Sequence, residues 1–358
     1  MDQLEFIDTK VLNRSIEESL GVALGAMVPG NRVAFTRFVS AFYGIICVVG
    51  LAGNLMVAVV LLRVRTLRSN TSDFLVHLSA VDFMVCLLVI PTNLVPAPSP
   101  TPNPGLWGEF WCRFYMSGFV FWFFTVNSVF SLIAVNLERY VAIVHPHKYK
   151  TVFTKRNKYI MIATCWILAV VTHSFHFFIF DEVDVVGCQR LGWRNLFARS
   201  AYGLYNFTIN ILIPLAVMVF AQLRVISTLN TQVKMLTARA ATGICPNDQH
   251  EMWQLRASQS LVKTLLACVI SFAVCWTPTH LVYLLFNFGV PVQLESPFTH
   301  MTIALAVANS CLNPIIYTLL NKPFRKGIRG AFCKQRDSNR VGEGGGPSAT
   351  VTVAETLP

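Results

Sequence analysis

Seven long apolar stretches constrain this chain more than any other feature of its sequence. Each is long enough to cross a bilayer, which takes roughly 20 mainly apolar residues in a helix. We call them the first to seventh spans, and they lie near residues 39–62, 74–95, 113–144, 158–180, 201–229, 257–286 and 298–319. Hydrophobic residues make up 54% of the chain and charged residues 13%, which is typical of a membrane protein and not of a soluble globular domain.

Basic residues near the span ends indicate the orientation, because Lys and Arg are retained in cytoplasmic loops. The loops after the first, third and fifth spans are basic, as is the segment after the seventh span, whereas acidic residues outnumber basic ones near the N-terminus. We therefore expect a multi-pass plasma-membrane protein with an extracellular N-terminus and a cytoplasmic C-terminus.

The same pattern divides the chain into four parts. Residues 1–38 are predicted to form an extracellular segment and residues 39–321 a seven-transmembrane helix bundle. Residues 322–333 are predicted to form an amphipathic eighth helix on the inner membrane surface, and 334–358 a disordered cytoplasmic tail. The predicted fold class is therefore an all-α membrane protein. The net charge of +11 is spread over the inner loops, so nucleic-acid binding is not expected.

One carboxylate, Asp82, lies near the middle of a span. A charge inside the membrane is energetically costly and usually functional. If the spans form one bundle, polar residues of the third and seventh spans can converge on Asp82, and together they would form a polar pocket for a small cation. These residues are Ser128, Asn309, Ser310 and Asn313.

Of the ten cysteines, the expected topology places only Cys112 and Cys188 on the oxidising outer side. A disulfide between them would tie the third span to the second outer loop, and two free thiols are the alternative. Asn13 begins an Asn-Arg-Ser glycosylation signal in the outer segment. Cys333 follows the basic amphipathic stretch and is a candidate palmitoylation site.

Three spans carry short motifs near their inner ends or at prolines, and each motif alone is weak. Pro278 removes a backbone hydrogen bond in the sixth span, where it favours a kink. The motif residues are Glu138, Arg139 and Tyr140 in the third span, Phe272, Trp276 and Pro278 in the sixth, and Asn313, Pro314 and Tyr317 in the seventh.

Together with Gly53-Asn54, the run Leu78–Asp82, Trp166 and Pro214, these motifs resemble the rhodopsin-like, class A G-protein-coupled receptors over residues 39–333. The resemblance implies an outer ligand pocket and an inner cavity that opens for a heterotrimeric G protein when the sixth span swings. It implies that Arg139 pairs with Glu138 in the inactive state and turns toward Tyr317 in the active state, with Trp276 and Phe272 relaying the pocket's state. It also implies Na⁺ at the Asp82 cluster, and arrestin and receptor kinases as partners of the tail.

Three features depart from that family's pattern. Gln222 stands eight residues after Pro214, where the family usually has a tyrosine that takes part in activation. His147 replaces a bulky apolar residue of the second inner loop, which is expected to weaken or narrow G-protein coupling. The run from Cys112 to Arg139 is about two residues longer than is typical, so the register of the outer third span is not fixed by the resemblance.

The outer third span contains no acid between Arg113 and Val126, which argues against an amine ligand, and the seventh span contains no lysine for a retinal Schiff base. The predicted pocket wall is instead aromatic and weakly polar: Phe121, Trp122, Phe124, Asn206, Asn210, His280, Tyr283, Asn287 and His300. Asp181, Glu182 and Asp184 in the second outer loop are expected to attract a basic peptide over a distance.

The run Trp107–Phe110 in the first outer loop resembles a tryptophan-containing turn that many peptide-binding members of that family share. A neuropeptide or short basic peptide is therefore the expected ligand, with a lipid or other small molecule as the alternative. A decoy receptor without signalling and an ion-coupled transporter are further alternatives, although we find no internal repeat of the kind that transporters contain. No catalytic residues, enzymatic activity or organic cofactor are expected.

Overall fold

The computed structural model describes residues 29–95, 106–183, 187–190, 193, 195–242, 246–294 and 296–332. Asn13, Asp184, Cys333 and the tail lie outside the described residues. The seven spans form one helical bundle, which confirms the predicted fold class. Their helices are Pro29–Arg63, Asn70–Val89, Phe119–Val144, Lys155–His173, Leu196–Phe207 with Ile213–Thr242, Pro246–Asn287 and Pro297–Leu320.

Shorter elements connect and extend these helices. π-turns occur at Ile90–Leu94, Cys112–Met116 and Thr208–Leu212, and a 3₁₀ turn at Arg65–Leu67. Short helices lie at Leu106–Trp111, Pro146–Val152 and His176–Ile179, and an eighth long helix follows the bundle at Lys322–Phe332. The second outer loop contains an antiparallel pair of strands, β1 (Phe180–Val183) and β2 (Gly187–Arg190).

Six of the described helical segments are apolar and long enough to cross a membrane. The helix of the fourth span, Lys155–His173, is the exception because it begins with Lys-Arg-Asn-Lys, which lowers its mean hydropathy. Thr154 caps its first turn by accepting a hydrogen bond from the Asn157 backbone at 3.2 Å. This polar start marks the end of the apolar part of the fourth span.

Several spans differ in length from the hydropathy-based prediction. The fifth and sixth helices run to Thr242 and from Pro246, well beyond the predicted limits at 229 and 257. The reason is that hydropathy marks only the part of a helix that lies in hydrocarbon. The fourth helix ends at His173 rather than 180, because the apolar residues that follow enter the second outer loop.

The outer third span is interrupted between its π-turn and the helix that begins at Phe119. After the π-turn, Gly118 adopts a left-handed conformation with φ of 73°. Ser117 Oγ donates to the Arg113 carbonyl at 2.6 Å and accepts from the Phe119 backbone N–H at 3.1 Å. These bonds satisfy backbone groups that the break would leave unpaired, so Ser117 and Gly118 together fix a new helix start.

The inner half of the bundle holds the largest buried cluster, which includes Leu78, Leu132, Leu265 and Phe272. The first span packs closely on the seventh because Gly53 has no side chain: a Cβ there would lie 2.9 Å from Pro314. Next to it, Asn54 Nδ2 donates to the Ser310 carbonyl at 3.0 Å. This close contact holds the seventh span against the residues around Asp82.

Candidate functional site

An open cavity lies between the outer halves of the third, fourth, fifth and sixth spans. It encloses about 740 Å³ of empty space, counting its open mouth. Six of the residues predicted for the pocket line it: Trp122, Asn206, Asn210, His280, Tyr283 and Asn287. They come from three spans, so the folded bundle brings together positions that are far apart in the sequence.

Three residues predicted for the pocket wall lie elsewhere. Phe121 is buried among side chains of the first, second and seventh spans, because it is one position, or about 100° of helix rotation, from Trp122. Phe124 packs edge-on against Trp166 of the fourth span, with ring centroids 5.7 Å apart. His300 is exposed, and its carbonyl accepts a hydrogen bond from the Tyr43 hydroxyl at 3.2 Å. The structure therefore places these three side chains outside the lining of this cavity.

The cavity has further lining residues that the sequence reasoning did not assign to the pocket wall. They are Ser117, Val126, His173, Phe175, Tyr202, Trp276 and Thr279. Helical spacing could have identified some of them, because Val126, Tyr202 and Trp276 each lie four residues from a predicted wall residue on the same helix. His173 and Phe175 flank the end of the fourth helix, where no periodic pattern applies.

Among the residues that the structure describes, the cavity lining combines aromatic and polar side chains and includes no Asp, Glu, Lys or Arg. Several of its buried polar atoms have no hydrogen-bond partner within the described part of the protein. These atoms are Asn210 Oδ1, Asn287 Oδ1, Thr279 Oγ1, Trp276 Nε1 and both ring nitrogens of His280. Such a concentration of unpaired groups is unusual in a protein interior.

The second outer loop is attached to the third span by the Cys112–Cys188 disulfide, with the two Cα atoms 5.3 Å apart. The predicted disulfide is thereby confirmed. Cys188 lies in β2 directly opposite Glu182 of β1. Asp181 is the neighbouring β1 residue, and the side chains of both acids lie outside what the structure describes.

Asp82 is completely buried at the centre of the bundle. Ser128 Oγ donates to its Oδ1 at 2.6 Å and Asn313 Nδ2 donates to its Oδ2 at 2.9 Å. Ser310 is also within hydrogen-bonding reach. Asn309 is buried in the same region, but its Oδ1 accepts from Ser271 Oγ at 3.4 Å. The second, third and seventh spans thus meet at Asp82, and Asn309 is not among the direct partners that the structure places on its carboxylate.

A second buried carboxylate, Glu138, organises the inner end of the third span. Arg139 pairs with it through two hydrogen bonds of 2.6 Å, in the closed arrangement expected of an inactive receptor. Thr71 Oγ1 and the Tyr149 hydroxyl also donate to Glu138, at 2.9 and 2.5 Å. Burial, followed by the bond to Glu138, raises the pKa of Tyr149 to about 12. Tyr149 is a partner that no sequence motif indicated.

The remaining motif residues lie in the third, sixth and seventh spans. Trp276 and Phe272 are buried neighbours with ring centroids 6.2 Å apart, and Tyr317 packs edge-on against Phe324 of the eighth helix. Tyr140 is half-buried, and its hydroxyl lies 3.2 Å from His145 Nε2. Pro278 and Pro314 both lie inside continuous helices.

Gln222, which replaces the family's usual tyrosine, is buried against the third span. Its Nε2 donates to Asn136 Oδ1 at 2.6 Å. Asn136 Nδ2 in turn donates to the Leu132 carbonyl at 2.8 Å, which fixes the amide's orientation. The departure at Gln222 therefore supplies a direct polar contact between the third and fifth spans.

Comparison with known proteins agrees with this arrangement. Galanin receptor type 1 of Mus musculus is 30% identical over 301 residues, covering 81% of this chain and 80% of that receptor. A QRFP-like peptide receptor of Branchiostoma floridae is 28% identical over 80% of this chain and 75% of its own. The crystal structure of squid rhodopsin shares the fold, with a TM-score of 0.67 at 22% identity over 86% of this chain and 87% of that one. Residues 53–317 match the family model described as 7 transmembrane receptor (rhodopsin family). The chain therefore belongs to the rhodopsin family of seven-transmembrane receptors, which are signalling proteins and not enzymes.

Proposed function

We propose that this receptor binds an extracellular peptide in the outer cavity and activates heterotrimeric G proteins at its inner end. The observation that carries the proposal is that one helix serves both sites: Trp122 lines the outer cavity and Arg139 lies in the inner cluster. The Branchiostoma floridae relative is a peptide receptor by name. A short neuropeptide is the ligand that this similarity favours.

Trp276 supplies a route from the ligand to the core. It lines the cavity and contacts Phe272, which is completely buried in the inner half of the bundle. A ligand that binds more tightly when Trp276 is in one of two positions favours that position, and its difference in affinity limits how far the equilibrium shifts. Because Trp276 contacts Phe272, the packing of Phe272 changes with it. Movement of the sixth span about Pro278 then carries the change to the inner surface.

At the inner surface, activation requires that Arg139 leave Glu138. A second open cavity, with about 900 Å³ of empty space including its mouth, lies between the inner ends of the third, fifth and sixth spans. Ile143, Leu229 and Leu255 give it an apolar wall, which suits the apolar face of a partner helix. The G protein is the partner that we assign to this cavity.

Asp82 and its neighbours fit a Na⁺ site. Hard cations prefer oxygen ligands, and Asn313, whose Nδ2 donates to Asp82, also has a buried Oδ1 with no partner among the described residues. Asp82 and Ser128 would hold the ion, with Ser310 beside them, and the ion would supply the counter-charge that the carboxylate lacks. A bound Na⁺ would stabilise the helix packing around Asp82 and would thereby favour the inactive state.

Further parts of the proposal concern the two termini. An extracellular N-terminus would allow glycosylation at Asn13, and a cytoplasmic C-terminus would allow palmitoylation at Cys333. Kinases and arrestin would act on the tail that follows. The basic inner loops support this orientation.

A lipid or other small molecule is the second candidate ligand, and the aromatic part of the cavity wall favours it. G-protein activation in cells that express the chain separates the candidates, when a peptide library is screened beside lipid and amine panels. We expect a peptide response that Arg139→Ala abolishes at equal surface expression. A response to lipids alone would contradict the peptide proposal, and silence at full surface expression would favour a decoy receptor.

A further inference from the structure

The outer ends of the fifth and sixth spans are joined by a set of direct contacts. The sixth helix ends at Asn287, and the carbonyl groups of its last turn have no following turn to bond to. Two of these carbonyls accept hydrogen bonds from the fifth span. Arg199 Nη2 donates to the Phe286 carbonyl, and Ser200 Oγ donates to the Asn287 carbonyl at 3.2 Å. The fifth span therefore caps the C-terminal end of the sixth helix.

Arg199 is attracted to the end of the sixth helix in two further ways. Its guanidinium carbon lies 4.0 Å from the centroid of the Phe286 ring, so the cation lies over the aromatic face. The C-terminal end of a helix also carries a partial negative charge, which a cation stabilises. Arg199 is half-buried and is not among the residues that line the cavity. It is therefore placed to hold the sixth helix and not to contact a ligand in the cavity.

A glycine on the same face of the fifth span allows the two backbones to approach closely. Gly203 lies one turn after Arg199, and a Cβ added there would lie 2.5 Å from the Asn287 Cβ. No side chain fits between the two helices at this point. Asn287, which is 1% exposed, is therefore packed directly against the backbone of the fifth span.

The residues that these contacts hold are part of the cavity wall. Asn287 and Tyr283 both line the cavity, and Asn287 Nδ2 donates to the Tyr283 carbonyl at 2.7 Å. On the fifth span, Tyr202 lines the cavity and precedes Gly203 in the sequence. The cap thus fixes the wall residues of the sixth helix relative to those of the fifth span.

Pro278 limits how far this restraint extends along the sixth helix. It lies eight residues before Phe286 and removes a backbone hydrogen bond, which makes the helix easier to bend there. The contacts of Arg199 and Ser200 are all on the outer side of Pro278. They restrain the outer segment of the helix, which carries Tyr283 and Asn287, and they do not hold the inner segment.

We infer that Arg199 is a positioning residue of the ligand cavity, which holds Tyr283 and Asn287 in place for binding and does not itself touch the ligand. A wall that is already in place costs less to order when a ligand binds. Arg199 therefore contributes to ligand affinity and not to the maximal activation of the G protein. The inference rests on the proposed function for the place where the ligand binds, and it holds for a peptide and for a small molecule alike.

The first test needs no ligand. Hydrogen exchange, followed by mass spectrometry on the purified full-length receptor, measures how often the end of the sixth helix opens. Arg199→Met keeps an apolar side chain and removes the charge and the donors. We expect the amides of residues 283–290 to exchange about 10-fold faster in this variant, as for the loss of a hydrogen bond from a charged group.

Two further variants serve as controls for this measurement. Arg199→Lys keeps the charge and should recover part of the protection. Arg37→Met removes an exposed arginine of the first helix and should leave exchange at residues 283–290 unchanged. Unchanged exchange in Arg199→Met would show that the cap does not hold the sixth helix, and it would overturn the inference.

The second test separates ligand positioning from a general effect on folding. Its probe is the first compound that activates the receptor in the peptide, lipid and amine panels. Arg199→Met should raise the half-maximal concentration of this compound about 5-fold or more, with the same maximal response at equal surface expression, and Arg199→Lys should restore part of the potency. An unchanged half-maximal concentration, or a lower maximum at equal surface expression, would contradict the positioning role.

A third variant displaces Asn287 and leaves Arg199 unchanged. Gly203→Ala adds a Cβ where the Asn287 Cβ leaves only 2.5 Å, so we expect Asn287 to shift and the potency of the same compound to fall. Gly44→Ala is the matched control, since a Cβ there has nothing within 4 Å. Full potency in Gly203→Ala would show that binding does not depend on the position of Asn287. Silence in every panel would contradict the proposed function and not the cap, which the exchange measurement tests by itself.

Discussion

Asp82 is a buried carboxylate whose direct partners are hydroxyl and amide groups. Hydrogen bonds spread its charge but do not neutralise it, so a bound cation stabilises whichever packing keeps these groups together. If Na⁺ binds there, the ion and the agonist oppose each other through a single coupling free energy.

We therefore expect agonist affinity to rise by about 5-fold or more when choline chloride replaces NaCl. Asp82→Asn should remove this dependence, as measured by radioligand competition in membranes. Asp73→Asn is the control on the same helix, because Asp73 is half-exposed and paired with Lys158 at the inner surface. An unchanged salt response in Asp82→Asn would exclude the site.

Tyr149 contributes to the closed state of the inner cluster through its bond to Glu138. A hydrogen bond to a charged group contributes about 1.5–3 kcal/mol. Tyr149→Phe should therefore raise basal G-protein activation several-fold, measured by nucleotide exchange without agonist. Tyr159→Phe is the control, because Tyr159 is 67% exposed. Unchanged basal exchange in Tyr149→Phe would show that the bonds from Arg139 and Thr71 to Glu138 are enough to maintain the closed state of the inner cluster.

The titration of Tyr149 sets the pH range of this contact. Its pKa is raised from 10.0 to about 12, so the folded state holds the phenol proton more tightly than the unfolded state. The resulting stabilisation is complete below pH 10.0 and is lost as the pH rises through about 12. The ratio of mutant to wild-type basal activity should therefore stay constant between about pH 6 and 8.

At the scale of elements, the break in the outer third span determines which side chains reach the cavity. Gly118 is left-handed, and a Cβ there would also lie 3.2 Å from the Trp122 ring. An L-residue in this conformation costs roughly 1–2 kcal/mol. The break lies between the disulfide-bonded Cys112 and the cavity-lining Trp122, and Ser117 at the break also lines the cavity.

Gly118→Ala should lower the melting temperature of the purified receptor by several degrees and weaken ligand binding in the cavity. The reason is that an alanine in the left-handed conformation is strained. The backbone shift that relieves this strain displaces both Ser117 and Trp122 from their positions in the cavity wall. Gly44→Ala is the control, since Gly44 lies in the first helix and a Cβ added there would have nothing within 4 Å. Wild-type thermal stability in Gly118→Ala would contradict the role of the left-handed conformation.

The sequence did not predict this break; it indicated only that the run from Cys112 to Arg139 is longer than is typical and left the register of the outer third span open. Hydropathy reports whether a residue prefers hydrocarbon, and a π-turn does not change that preference. The same limit explains why Phe121 was assigned to the cavity, since a one-residue uncertainty in register rotates a side chain by about 100°. The motif residues at Asp82 and Glu138 were easier to find, because a buried charge stands out in any apolar span.

Contacts between distant helices form the other part that sequence reasoning missed. Tyr149 reaches Glu138 across the second inner loop, and Gln222 reaches Asn136 of the third span. Neither pair follows a helical period, so only the folded bundle reveals them. At Gln222 the sequence indicated a missing tyrosine, whereas the structure shows a buried amide pair that holds the third and fifth spans together.

At the scale of the whole molecule, the outer cavity and the inner cluster around Glu138 are parts of one helical bundle. Arg139 is paired with Glu138, and Phe272 is fully buried beneath Trp276. An agonist must therefore supply enough differential binding energy to open the inner contacts together. Asp82 lies between the two regions, where the second, third and seventh spans meet.

The sixth helix continues without interruption from Pro246 to Asn287. At 1.5 Å per residue, the part between Pro246 and Pro278 is a lever arm of about 48 Å. A rotation of about 10° at Pro278 would displace the far end by roughly 8 Å, about the distance between packed helix axes. Because displacement grows with arm length, a ligand can open the inner surface while its own contacts move by only a fraction of an ångström.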